Sequence, residues 1–480
     1  MHKPHQAAKR NIIRFVLAVL CLGLLTIYVS ATRRSVRIMP PESAEELAMR
    51  ASPDNPYFDL VEAVRMLPQK PATTPEEEAD YKRWTTSGES HLFLGGLVGL
   101  KLRNDSPKLL RYLDESEPAL LRTRDALPKP NFRLPITWED FRTYSYDDHA
   151  FPPEWRQIHV LRQLMQARGV QLLMIPTRED EAVPWLLDSL RYRVITSSDN
   201  PEGIGGDDMT LRFLDRAAGR VSDQALRTAL SAVQTLHRRL QPPVMNLDFH
   251  WRVMDNTVRL RKRAPAPSSN SPAHRSSSQD SRIAKLERQA GESGINWLGK
   301  DLLFGYGLSQ SSRIAAEHCG EFRAALQLPY PQFRDWAMAN PQLTSPSERL
   351  SFISQWLALD NMGYSGYGYG LLTPWRKIQF FAEQYAWVDS SYSALEAILA
   401  LELYHRDYGA YPDSLEALAP AYLPAVSQDA FTGQPLPYRK IGSDYSLTCT
   451  GPEKSGDPRA RHAIGLIPFH SPGDYSDKNG

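Results

Sequence analysis

Apolar residues recur every three or four positions along most of the chain, and strict alternation is scarce, so the pattern predicts a mainly helical protein. Helix starts are marked locally. Ser43-Ala44-Glu45-Glu46 reads as a capping box, and Thr74-Pro75-Glu76-Glu77-Glu78 and Ser106-Pro107 place Pro at the first helical position. From Pro153 to Arg168, Trp155, Ile158, Leu161, Leu164 and Met165 fall on one face, and Gly169 follows as the expected stop. Ser222-Asp223 opens a helix with Leu226, Leu230, Val233 and Leu240 on one side, closed by Pro242-Pro243. Helical signals return at Arg282, at Ser312–Leu326, after Ser345-Pro346, at Pro374–Trp387 and at Ser393–Tyr408, where Gly409 ends the run. Only the last stretch changes period. Leu415 and Leu418 predict a short helix, Asp429–Pro435 a turn, and residues 438–441 and 444–449 two strands joined across Gly442-Ser443.

One segment carries no polar face at all. Phe15 to Ala31 holds no charged residue, and seventeen helical residues span about 26 Å, close to the hydrocarbon thickness of a bilayer. Residues 11–31 are therefore expected to enter membrane lipid as a transmembrane helix, with residues 1–31 as cytoplasmic tail and anchor. Lys3, Lys9, Arg10 and Arg14 precede the span and Arg33, Arg34 and Arg37 follow it, a narrow margin for the positive-inside rule. A basic tail leading an apolar stretch reads as a signal-anchor, which puts the bulk of the chain outside the cytoplasm. Val29-Ser30-Ala31 also offers small residues for signal peptidase, so cleavage is the competing reading. At the opposite extreme, residues 264–281 (APAPSSNSPAHRSSSQDS) are Pro, Ser and Ala without apolar period and predict a disordered linker. The expected organisation is an anchor (1–31), a helical region (32–263), the linker (264–281), a second helical region (282–390) and a small α+β domain (391–480).

Composition adds exclusions. The 480 residues are 42% hydrophobic and 23% charged, an ordinary globular balance. Net charge is +1, and the first 31 residues hold four of the 56 Lys and Arg and none of the 55 acids, leaving the rest at −3. A basic footprint for nucleic acid is absent. Cys21, Cys319 and Cys449 are too few for a disulfide framework or a structural zinc site, and whether Cys319 and Cys449 pair is open. H-E-x-x-H, C-x-x-C, the P-loop, G-x-G-x-x-G and G-x-S-x-G do not occur. Asp147-Asp148-His149 and Gly205-Gly206-Asp207-Asp208 offer hard oxygen ligands but no second group at helical spacing, and they read as turn caps. His318 precedes Cys319 on a helix and points elsewhere, so it is poorly placed to activate the thiol. Gly363–Gly370, alternating Gly with Tyr and Ser, reads as a loop packing on helices. No catalytic residue and no cofactor-binding residue follows from these motifs.

The last ninety residues carry a resemblance. Gly409, Tyr411 and Pro412 are followed by Tyr422, Leu423 and Pro424, then Asp429, Phe431, Gly433, Pro435 and Tyr438, then Tyr445, Leu447 and Gly451. This order resembles the globular domain of type II secretion major pseudopilins, over about residues 393–453, and the same tail closes a group of membrane-anchored bacterial proteins with long helical middles. It departs at Ala430 for Pro, Cys449 for Ser, Glu453 for Asp and Lys454 for Gly. The N-terminal span lacks the Glu of a pilin start, so it is an anchor and not a pilin stem. The resemblance implies a calcium site in the loop after the last strands. Here Glu453 and Asp457 are the weak calcium candidates, with Lys454 between them opposing a cation. The function implied is a non-catalytic binding or structural role at the bacterial inner membrane, associated with secretion or surface machinery. Its protein partners are unnamed by the sequence. The alternative is an envelope hydrolase whose acids, such as Asp148 or Asp207, meet only in the fold.

Overall fold

The computed structural model describes residues 42–86, 98–103, 105–129, 132–135, 154–197, 208–244, 246–248, 251–252, 255, 316–340, 374–451 and 467–470, together with residue 23. The expected anchor apart from residue 23, the expected linker, Asp148, His149, Asp207, the Gly/Tyr stretch 363–370, Glu453 and Asp457 lie outside the described residues. Among the described residues, no helix is long and apolar enough to cross a membrane.

Helices dominate in chain order: α1 (Ala44–Ala51), α2 (Pro56–Arg65), α3 (Pro75–Thr86), α4 (Pro107–Glu115), α5 (Glu117–Ala126), α6 (Trp155–Leu173), α7 (Glu179–Ser197), α8 (Asp208–Ala218), α9 (Asp223–His237), α10 (Tyr330–Ala339) and α11 (Pro374–Tyr408). Local chemistry starts several of them. Ser43 and Glu46 form the reciprocal box at α1, and Thr74 and Glu77 do the same at α3, at 2.7 and 3.2 Å. Ser222 caps α9 by accepting from the Ala225 N–H. Asn55, which caps α2, also bonds the backbone of Arg133 in both directions and so ties the helix to a distant strand of chain.

Gly169 does not stop α6. The helix runs on to Leu173, and α7 folds back against it after a five-residue link. A Cβ on Gly169 would lie 2.7 Å from Leu186 Cδ2, so this glycine marks where two helices touch rather than where one ends. The expected break between Trp387 and Ser393 is likewise absent. α11 continues through Asp389-Ser390-Ser391 because each polar side chain there has a partner: His237 for Asp389, Asp429 for Ser390, and the Trp387 carbonyl for Ser391. At about 1.5 Å per residue its 35 residues span roughly 52 Å.

The length of α11 organises the core. Ile378, Phe381 and Ala382 pack with Trp251, Phe322, Leu326 and Phe333 in one cluster. Further along, Leu395, Ile398, Leu399 and Leu403 enter a larger cluster shared with α2 and α4 to α9 and with the C-terminal strands. The expected boundary at 390/391 therefore falls inside one helix, and the tail packs on the helical body. Beyond Gly409 (φ +75°), the short helix expected at Leu415 and Leu418 is a single 3-10 turn, Leu415–Leu418, and Ser414 supplies no side-chain capping bond to it. Strands β1 (Gln428–Asp429) and β2 (Gln434–Pro435) pair antiparallel. Strands β3 (Tyr438–Ile441) and β4 (Asp444–Cys449) form the expected hairpin with Gly442 at φ +60°, and β5 (Ile467–His470) adds to β4. Tyr445, Leu447 and Cys449 point inward along β4, the period-two pattern read from sequence.

Candidate functional site

Asp389, Tyr392 and Glu396 stand at i, i+3 and i+7 on α11, a spacing that puts all three on one face. His237, the last residue of α9, sits against that face. Its Nε2 lies 2.7 Å from Asp389 Oδ1, its Nδ1 lies 2.8 Å from Glu396 Oε1, and its ring stacks on Tyr392 at 5.7 Å. Burial alone would lower the imidazole pKa. The hydrogen bonds and charges of Asp389 and Glu396 outweigh it and raise the pKa to about 9, so the ring is an imidazolium at neutral pH. A helix C-terminus favours the same positive charge. With both nitrogens donating, His237 has no lone pair for a proton or a metal.

This triad forms one side of a cleft of about 730 Å³ between α10, α11 and the segment 424–433. Tyr330 and Pro331 come from α10, Ala382, Tyr385 and Ala386 from α11, and Val426 from the tail. Burial, with the Asp389 charge, pushes the Tyr385 phenol up to about 12.

Asp429 lies at the cleft's edge, yet both its oxygens are used within the fold. Oδ1 accepts from Phe431 N at 2.9 Å and from the Ser390 hydroxyl at 3.3 Å, and Oδ2 accepts from Thr450 N at 2.7 Å. Its carbonyl accepts from Gly433 N, which the φ of +68° at Gly433 allows. Here the Asp-x-Phe-x-Gly run is a buried acid organising a tight turn. Cys449 Sγ lies 3.6 Å from the same carboxylate, and burial plus that charge push its thiol up to about 12.

The sequence-level candidates are distributed differently. Cys319 and Cys449 are both free thiols. His318 faces Glu321 at 3.2 Å and not the thiol beside it. Among the described residues, no group of three His, Cys, Asp or Glu could hold a metal ion. The triad escaped sequence reading because His237 and its acids are 152 and 159 residues apart. Only the one-sided spacing of Asp389, Tyr392 and Glu396 was available as a signal.

Fold and site thus define a mainly helical protein with a small antiparallel end and an acidic, partly aromatic cleft where the two meet. No family model, curated protein or solved structure matches this chain.

Proposed function

We propose that this chain is a membrane-anchored cell-envelope protein with a non-catalytic binding role, held in lipid by residues 11–31, whose cleft receives a partner. The observation that carries the reading is the condition of the cleft's ionisable groups. His237 spends both ring nitrogens on Asp389 and Glu396, and Asp429 spends both oxygens on the turn it holds. Asp389 and Glu396 each commit one oxygen to His237 and are fixed in place by it, and a binding site needs such fixed polar groups together with shape and an apolar wall.

The apolar run from Phe15 to Ala31 supports the anchor, and the basic tail before it supports an orientation with the helical body outside the cytoplasm. The pseudopilin-like end rests on its motif residues, several of which have turn or packing roles: Gly409 and Gly433 at positive φ, Asp429 and Phe431 buried, Tyr445 and Leu447 inward. That resemblance points to secretion or surface machinery as the setting.

The test combines fractionation with crosslinking at the site. The full chain should stay with membranes after alkaline extraction, and removal of residues 1–31 should release it. A photo-crosslinker at Gln332 in the cleft should give a discrete adduct in cells that the same probe at exposed Glu45 does not. Full recovery of the intact chain in the supernatant would overturn the anchor. Equal, diffuse labelling at both positions would overturn the binding cleft.

A further inference from the structure

We propose that the cleft is a recognition pocket for a lysine or arginine side chain presented by a partner peptide. The inference rests on the binding reading above and adds the chemistry of what is bound.

Among the described residues, the charged ones lining the cleft are His237, Asp389, Glu396 and Asp429, with no Lys or Arg. With His237 protonated the lining carries an excess of negative charge. Asp429 is turned into its own loop, so Asp389 and Glu396 set the chemistry. Each gives one oxygen to His237. Asp389 Oδ2 and Glu396 Oε2 make no hydrogen bond among the described residues. The Asp389 side chain is 37% exposed and that of Glu396 only 13%, so an incoming head group meets Asp389 first.

Three classes of occupant can be weighed against this arrangement. An anion faces repulsion. A neutral apolar group would strip water from two carboxylate oxygens without replacing it, a desolvation that is costlier for charged groups than for neutral ones. A cation supplies the missing donors as charge-assisted hydrogen bonds. The walls fit the stem that carries such a head: Ala382, Ala386 and Val426 suit methylenes, and Tyr330 and Tyr385 add rings that attract cations. Volume argues for a peptide over a bare amine. About 730 Å³ holds far more than an ammonium head, and the side chains of Gln332, Gln428 and Thr432 in the lining can bond a peptide backbone.

His237 has a fixed part in this scheme. It binds one oxygen of each carboxylate and so fixes both side chains on the cleft-lining face of α11. It is a positioning residue, and the carboxylates are the contacts.

The decisive experiment uses the full chain in detergent micelles and calorimetric titration with four blocked pentapeptides, Ala-Val-X-Val-Ala, where X is Lys, Arg, norleucine or Glu. The Lys and Arg peptides should bind, the norleucine peptide at least tenfold more weakly, and the Glu peptide not at all. Asp389→Asn, nearly the same shape without the charge, should weaken the Lys peptide at least tenfold while sparing the norleucine peptide. Should that variant fail to fold, salt provides the second measurement: Lys-peptide affinity of the unaltered chain should fall steeply from low to high ionic strength. Equal affinity for Lys and norleucine peptides would overturn the cationic pocket and leave a binding cleft standing. A discrete Gln332 adduct together with no binding of any pentapeptide would do the same. Loss of the adduct as well would mark failure of the binding reading itself.

Discussion

Ala430 stands where the resembled family carries Pro, and its backbone N–H donates to Ser390 Oγ at 2.9 Å. Proline has no N–H, so the residue that departs from the motif is the one that lets the turn grip α11. Ser390 is fully buried and bonds Asp429 as well, so one hydroxyl joins helix, turn and acid. Ala430→Pro is expected to destabilise the chain by about 1–2 kcal/mol, through loss of that bond and a hydroxyl left short of a partner. Urea unfolding midpoints check it. In a Ser390→Ala background the added cost of Ala430→Pro should shrink, because its partner is already gone. An unchanged penalty there would mean that the ring, and not the hydrogen bond, is responsible. The turn itself was legible in sequence, since Asp, Gly and Pro at such spacing have few other uses. The burial of its Asp was not, because the covering groups, Ser390 and Thr450, lie 39 and 21 residues away.

Among the elements, α6 and α7 show how one glycine can be misread and still be informative. A glycine after an apolar stripe satisfies the usual stop pattern, and nothing nearby distinguishes a stop from a contact. The distinction comes from Leu186 on α7, whose Cγ and Cδ2 would meet a Gly169 Cβ at 2.8 and 2.7 Å. Tyr192 closes the other end of the same pair by donating its hydroxyl to the Ile158 carbonyl at 2.9 Å. Gly169→Val should therefore cost about 1–3 kcal/mol by overpacking, even though replacing glycine within a helix removes a propensity penalty. Thermal melts of Gly169→Val, Leu186→Ala and the double variant test the contact. The double variant should be more stable than the sum of the single losses implies, because truncating Leu186 makes the room that Val requires. Strict additivity would show that the two side chains do not meet.

At the level of the whole molecule, two histidines set opposite pH limits. The folded pKa of His237 is raised to about 9, above an ordinary value near 6.5, so its stabilisation is complete below about pH 6.5 and is lost as pH rises through 9. His159 is the reverse case. Burial first, then the charges of Arg162 and Arg193, lower it to about 4. The unfolded chain takes up that proton earlier than the fold does, so stability falls as pH drops from about 6.5 towards 4. Together the two histidines stabilise most near neutral pH, each limb worth on the order of 2–3 kcal/mol, while Asp248, which burial raises to about 6, opposes the acid limb over the same range. Melts across the range provide the check, with one control for each limb. His237→Gln should flatten the alkaline side and His159→Leu the acid side. An alkaline limb unchanged in His237→Gln would remove His237 from the account.

What the sequence determined by itself is the chemistry that acts over a few residues. Capping boxes at Ser43 and Thr74, the cap at Ser222, the glycine end of α11 and the hairpin across Gly442-Ser443 all close hydrogen bonds within about one turn. Residue types alone therefore fix them. The tertiary structure decided whatever needs a partner from elsewhere in the chain. It joined the two helical runs read at Pro374–Trp387 and Ser393–Tyr408 into one α11, with His237 and Asp429 bonding the polar side chains between them. It also brought α9 within hydrogen-bond distance of α11, turning a lone histidine and two ordinary helix-surface acids into a charged triad beside a cleft. No periodicity encodes a contact across more than 150 residues; packing of the apolar faces brings those groups together, and their charges then fix the geometry.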